Sequence, residues 1–178
     1  MIRTRPIRPR HRTRLSRAVA TFGHVGFLPG PAGTWGSLAA LATGYGLHVL
    51  GSFPLLAVAT LAAIGVGWWA TGVEIHEQDD LDPGHIVIDE VAGQWIALWP
   101  LSLGMWHIGA PATLFPWPGW VAAFLLFRLL DVWKPWPISW ADRRKGPTGV
   151  MLDDVLAGLI AAVAVTLMGG VAHGWLVR

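Results

Sequence analysis

The chain has 178 residues, of which 53% are hydrophobic and 13% charged. A soluble domain usually carries about a quarter charged residues, so the composition points to a bilayer. No cysteine is present, which excludes disulfides, thiolate metal sites and a cysteine nucleophile.

The formal charge of +2 hides an asymmetry, because seven of the thirteen basic residues are Arg3, Arg5, Arg8, Arg10, Arg12, Arg14 and Arg17. Residues 1–20 read as a disordered basic arm that stays in the cytoplasm and touches lipid head groups. No folded basic module follows, so nucleic-acid binding is not expected. Nor is a secretory signal, since the next stretch is rich in Gly and Pro. Residues 21–178 are expected to form one helical membrane domain.

Residues 18–73, 91–127 and 155–177 contain no Asp, Glu, Lys or Arg. Burying charge in hydrocarbon is costly, and charge-free tracts of this length are what spanning helices look like. The glycines and prolines of 23–33 forbid a helix there, and Thr34 or Ser37 can cap the first apolar helix. Apolar segments then cover 37–50 and 54–73, divided at Gly51-Ser-Phe-Pro54, with a polar stretch over 74–90. Further segments cover 91–103, 120–133 and 154–176, separated by a Gly/Pro/Trp-rich connection and by a polar stretch over 134–153. The expected fold is all-α, a compact multi-helix membrane protein with about four to five hydrophobic helices. In the last segment Gly158, Ala162, Thr166, Gly170 and Gly174 recur every four residues, a stripe that lets another helix approach closely. The tryptophans, several near segment ends, read as an aromatic belt with no chemistry.

With the Arg-rich end in the cytoplasm and five crossings, both polar stretches return to the cytoplasmic side. Every charged residue except Arg178 then lies at or near one membrane face. The stretch 74–90 holds seven acids and no Lys or Arg. Glu74, Glu77, Asp79 and Asp80 read as an ordinary acidic loop. Asp89 and Glu90 open a helix beside apolar residues, where carboxylates suit the helix dipole and a cation. Arg128, Asp131 and Lys134 are spaced by three and are expected to share one helical face, two cations around one carboxylate, as an anionic phosphate requires. Asp153 and Asp154 open the last segment and repeat the Asp89–Glu90 arrangement. Two acidic pairs at two helix starts suit magnesium, which prefers oxygen ligands. Asp142, Arg143, Arg144 and Lys145 read as surface charges that anchor a loop at lipid head groups. Thr34 and Ser37 either contact phosphate or cap a helix.

Four stretches together resemble the phosphatidylglycerophosphatase A family: Gly33-Thr-Trp-Gly-Ser-Leu-Ala-Ala40, Ile86-Val-Ile-Asp-Glu-Val-Ala-Gly-Gln-Trp95, Phe127-Arg-Leu-Leu-Asp-Val-Trp-Lys-Pro-Trp-Pro-Ile138 and Gly149-Val-Met-Leu-Asp-Asp-Val-Leu-Ala-Gly158. The resemblance covers most of the chain beyond the arm. It implies a compact helical enzyme of the bacterial inner membrane, multi-pass, that hydrolyses phosphatidylglycerophosphate to phosphatidylglycerol and inorganic phosphate with Mg2+. The chain departs from the family in two loops, with His24-Val25-Gly26 and Ala32-Gly33-Thr34 in the first and Gly146-Pro147-Thr148 in the second, and both departures spare the carboxylates. On this reading Asp89, Glu90, Asp153 and Asp154 are catalytic and hold the metal. Arg128, Lys134, Thr34 and Ser37 bind the substrate phosphate. Asp131 is catalytic, orienting the cations or acting as nucleophile or base, with attack by water and through an aspartyl-phosphate both open. The alternatives are a small transporter, which would need charges in the middle of spans, and a non-catalytic membrane protein, which would leave the acid pairs without a task.

Overall fold

A computed structural model describes residues 13–76, 83–114 and 116–176. Every regular element among them is a helix: α1 (Arg14–Ala20), a 3-10 turn (Val25–Phe27), α2 (Ala32–Ile75), α3 (Ile88–His107), α4 (Trp117–Trp133), α5 (Ile138–Asp142) and α6 (Pro147–Leu176). The all-helical expectation holds. Two helices, Ala32–Ile75 and Pro147–Val171, are long and apolar enough to cross a membrane. Large apolar side chains such as Val58, Leu61, Leu125, Leu129, Val163 and Leu167 point outward from the helices. Water would not tolerate an apolar surface of that extent, and lipid does, so the bundle is that of a membrane protein.

The backbone of α2 leaves the helical region at Gly51 (φ −156°, ψ 20°) and Ser52 (φ 53°, ψ −156°). Pro54 follows, in the first turn of the next arm, where its missing N–H costs no hydrogen bond. The break therefore falls where the Gly51–Pro54 run predicted it. The two arms lie against α3 in opposite senses. Along the first arm, Ala40 O accepts from Trp95 Nε1 at 2.9 Å and His48 Nδ1 meets Ser102 Oγ at 2.8 Å. Along the second, Gly67 faces Ile88 while Thr60 Oγ1 accepts from Trp99 Nε1 at 3.2 Å. Residue numbers rise together in the first case and oppose in the second, so α2 is a helical hairpin.

Helix α3 is the centre of the bundle, buried at Ile88 and Asp89 and without a break from Val91 to Leu98, and it touches α2, α4 and α6. A helix buried on all sides needs small residues where neighbours cross it. Gly93 supplies one crossing: a Cβ there would sit 2.5 Å from both the Asp154 carbonyl oxygen and Phe127 Cε2. Gly158 of α6 is the other half of it, pressed on the Gly93 backbone. The expected small-residue stripe on α6 is thus real at Gly158, and Ala162 and Thr166 continue it into an apolar groove beside Trp99. Helix α6 runs parallel to α3. Helix α4 runs against it, with Phe127 at Gly93 and Gly119 at Leu101. The starts of α2, α3 and α6 and the end of α4 therefore meet at one end of the bundle. Exposed tryptophans mark both ends, with Trp133, Trp136 and Trp140 near this one and Trp106 and Trp117 near the other, the placement expected of a belt.

The amino end differs from expectation. Residues 1–12 lie outside the described residues, but Arg14–Ala20 is a helix, not a disordered arm. Thr13 and Ser16 form a reciprocal capping box, and Ser16 Oγ also donates to Glu74 Oε1 at 2.8 Å. Glu74 is consequently a buried residue of α2 and not a loop acid. Glu77, Asp79, Asp80 and Asp82 lie outside the described residues. The Gly/Pro loop contains the 3-10 turn and positive φ at Gly23, His24 and Gly30. Its Gly26 presses against the His85 carbonyl, so this part of the loop packs against the entry to α3 and does not cradle a ligand.

Candidate active site

A polar cavity of ≈ 250 Å³ opens where the four helix ends meet, lined by Gly33, Gly84, Ile86, Asp89, Glu90, Arg128, Asp131, Lys134, Val150, Asp153 and Asp154. Asp89 and Glu90 occupy the first turn of α3. Asp153 and Asp154 stand two turns into α6, level with them because Gly93 and Gly158 bring the helices together. The spacing is the same on both sides: Asp89 precedes Gly93 by four residues, and Asp154 precedes Gly158 by four. Each acid thus sits one turn from the glycine crossing, on the face that meets the other helix.

Ligand atoms of Asp89, Glu90 and Asp154 all lie within 4.8 Å of one another. Asp89 is 8% exposed and Asp154 3%, so the cluster has little bulk water to screen it. Asp89 Oδ1, Glu90 Oε2 and Asp153 Oδ1 are buried with no hydrogen-bond partner. Buried polar atoms are normally satisfied, and three unsatisfied carboxylate oxygens around one cavity mark a place for a ligand that brings positive charge. The fourth expected metal ligand, Asp153, stands apart from the trio: its Oδ2 accepts from Lys134 Nζ at 2.8 Å.

The cations differ from the sequence reading. Arg128 pairs with Asp131 one turn on and donates to Thr34 Oγ1 at 3.4 Å. Lys134 does not share their face. It caps α4 in the left-handed region (φ 47°), which turns it away from Asp131 and toward Asp142 and Asp153, both of which it pairs with. Partial burial works against its charge, but the hydrogen bonds it donates to Asp142 and Asp153 outweigh that and hold its pKa above the ordinary lysine range. Asp142 belongs to α5, a short helix within the stretch read from sequence as a polar loop, so it is a partner of the site and not a surface anchor.

The positive balance of Arg128, Asp131 and Lys134 does not extend to the whole cavity. Five lining carboxylates (Asp89, Glu90, Asp131, Asp153, Asp154) face two cations (Arg128, Lys134), and five minus two leaves an excess of three negative charges when all are ionised. Thr34 reaches the cavity edge through Arg128. Ser37 does not: it is fully buried, and its hydroxyl donates to the Gly33 carbonyl at 2.8 Å. Neither caps α2, whose first turn follows Pro31 without a side-chain cap. Gly33 itself is the residue of that loop that matters, since a Cβ there would run into Glu90 Oε1 and lie 3.0 Å from Arg128 Nη1.

A helical bundle that gathers carboxylates, an arginine and a lysine around one small cavity at its end has the groups to bind and act on a phosphate ester. Comparison with known proteins agrees. Residues 18–169 match the family described as phosphatidylglycerophosphatase A, and the chain belongs to that family. It is 37% identical over 152 residues to the phosphatidylglycerophosphatase A of Escherichia coli K12, covering 84% of this chain and 79% of that one. It is 33% identical over 138 residues to the protein of the same name from Haemophilus influenzae, covering 77% of each. A Bacteroides thetaiotaomicron protein provisionally named a phosphatidylinositol-3-phosphatase is 32% identical over 149 residues, covering 80% of this chain and 86% of the other. No solved structure matches the chain.

Proposed function

We propose that this protein hydrolyses phosphatidylglycerophosphate to phosphatidylglycerol and inorganic phosphate, with magnesium held by Asp89, Glu90 and Asp154. The observation that carries the metal is the trio of carboxylates, two buried and one partly buried, with ligand atoms within 4.8 Å. The charge balance supports it. With all five carboxylates ionised the lining repels an entering phosphate dianion, and a divalent cation among the acids removes most of the three-charge excess. The donor set is all oxygen, as magnesium prefers. When bound, magnesium supplies Lewis-acid polarisation of the phosphoryl group.

The chain's own groups have distinct tasks in this reading. Arg128 grips phosphate oxygens, and Asp131 with Thr34 fixes its guanidinium. Lys134 adds a point charge, steadied by Asp142 and Asp153. Water attacks phosphorus, and the bond from phosphorus to the glycerol oxygen breaks. The water's proton passes to one of the free carboxylate oxygens (Asp89 Oδ1, Glu90 Oε2 or Asp153 Oδ1), and the same carboxyl hands it on to the glycerol oxygen as that oxygen leaves. The site faces the cytoplasm, five segments cross the inner membrane, and the acyl chains stay in the bilayer while the head group reaches the cavity. The exposed apolar helix faces and the basic amino end support that placement.

Purified protein in micelles tests the reading through phosphate release from phosphatidylglycerophosphate with magnesium and with EDTA. Release that stops on chelation and in Asp89→Asn is expected. Release that survives both would remove the metal and its ligands from the mechanism, and turnover of other phosphomonoesters but not this lipid would discard the substrate.

A further inference from the structure

A second cavity, of ≈ 160 Å³, adjoins the first and shares Val150 and Asp153 with it. Its character is opposite. Arg143, Arg144 and Lys145 line it from the connection between α5 and α6. The lining acids, Asp142 and Asp153, are both engaged by Lys134. No carboxylate pairs with the three cations among the described residues, and the two lining acids already share Lys134, so the cavity offers three cations with free donors and a net positive lining beside an acid-rich one.

The loop is shaped to hold them. Gly146 takes a positive φ (+83°), and Gly149 lets the first turn of α6 close onto the Arg144 carbonyl, where a Cβ would collide. The Arg144 guanidinium lies 3.9 Å from the centre of the Trp140 ring, which orients its plane and leaves its N–H groups at the edge free to donate. Trp140 is exposed near the bundle end, as tryptophans that meet lipid head groups commonly are.

We propose that this cavity is the subsite for the second phosphate of a lipid substrate, the phosphodiester that joins the head group to diacylglycerol. The proposal rests on the lipid-phosphatase reading above. Such a substrate carries two phosphates linked through glycerol, a monoester to be cleaved and a diester to be kept. The acid-rich cavity takes the first, and the base-rich neighbour takes the second. No bond changes at the diester, so binding there is the same in ground and transition states. Its loss raises KM and leaves kcat alone.

Full-length protein in neutral detergent micelles, free of anionic lipid, provides the test. In the triple variant Arg143→Gln, Arg144→Gln, Lys145→Gln, KM for phosphatidylglycerophosphate rises about tenfold or more, the loss expected for charge-assisted contacts, with kcat within about twofold. The double variant that keeps Arg144 on Trp140 moves the same way by less. An independent arm uses glycerophosphoglycerol, which has the diester and no monoester: wild type binds it, and the triple variant does not. An unchanged KM in neutral micelles overturns the subsite, and so does an effect seen only in anionic vesicles, which would assign the cations to bulk lipid. Wild type that releases no phosphate yet binds the diester in a loop-dependent way would refute the proposed reaction and leave the subsite standing.

Discussion

Replacing Gly93 by alanine tests whether the glycine crossing sets the geometry of the carboxylates. The new Cβ would lie 2.5 Å from the Asp154 carbonyl oxygen and 2.5 Å from Phe127 Cε2. Favourable contact needs about 3.5 Å, so one side must yield by about 1 Å. Phe127 is fully buried and the carbonyl is backbone, so neither is a flexible side-chain end, and α3 and α6 must part. Overpacking of this kind costs about 1–3 kcal/mol. Against a total stability of about 5–15 kcal/mol the protein stays folded. For a chain of this length the unfolding midpoint then falls by roughly 2–4 °C per kcal/mol. Activity suffers more. The acids of the trio sit one turn from the crossing, and a displacement of about 1 Å at a reacting centre can cost about a hundredfold in rate. Thermal unfolding in micelles and phosphate release, measured on the same preparation, separate the two effects. Gly65→Ala and Gly104→Ala are controls, since nothing lies within 4 Å of a Cβ at either, and both should keep full activity. Wild-type activity and midpoint in Gly93→Ala would refute the reasoning.

Gly33→Ala should leave the midpoint near wild type, because the obstructing atoms are the ends of Glu90 and Arg128, while phosphate release falls by about tenfold or more as both are displaced. Magnesium near 100 times its dissociation constant should stabilise wild type by about 2.7 kcal/mol, read as a rise in the unfolding midpoint, and Asp154→Asn should lose most of that rise. An equal rise in the variant would remove Asp154 from the metal site. Lys134→Met strips Asp142 and Asp153 of their shared cation, so activity should collapse, with Lys134→Arg recovering part of it. The raised pKa of Lys134 means that its contribution to stability is fully present below the ordinary lysine value of about 10.4 and is lost only as pH rises through the higher folded value. Unfolding midpoints in wild type and Lys134→Met, compared from neutral pH upward, should therefore differ by a constant amount until that range, and a gap that closes earlier would contradict the sign.

Much of the architecture is legible in the order of residues. Charge-free tracts delimit the apolar helices, and Gly51-Ser-Phe-Pro54 marks the break in α2 because its residues cannot continue a helix. Acids at the start of α3 and cations at the end of α4 follow from dipole and desolvation arguments that act within one helix, whereas Asp153 and Asp154, expected to open the last helix, stand two turns inside it because α6 already begins at Pro147. Failures begin where an outcome depends on a second element. Spacing by three puts Lys134 on the Arg128 face only if the helix continues, and it stops at Trp133. Asp142 and Lys134 are eight residues apart with a helix end between them, and no local rule pairs them. Ser37 resembles a phosphate ligand in sequence, yet one turn of helix places its hydroxyl on the Gly33 carbonyl.

The sign of the site is the clearest case. Each motif alone has a readable charge: two acids, two cations with an acid, two acids. The sum depends on which of them share one cavity, and that is decided where α3 and α6 touch. A glycine four residues after Asp89 and another four residues after Asp154 repeat the same short pattern in two distant segments. Within either segment the glycine is only a small residue in a helix. Side by side the two bring the backbones together, set the acids level and carry both pairs to the lining of one cavity. The gathering of the acids thus arises from the crossing and not from either acidic pair.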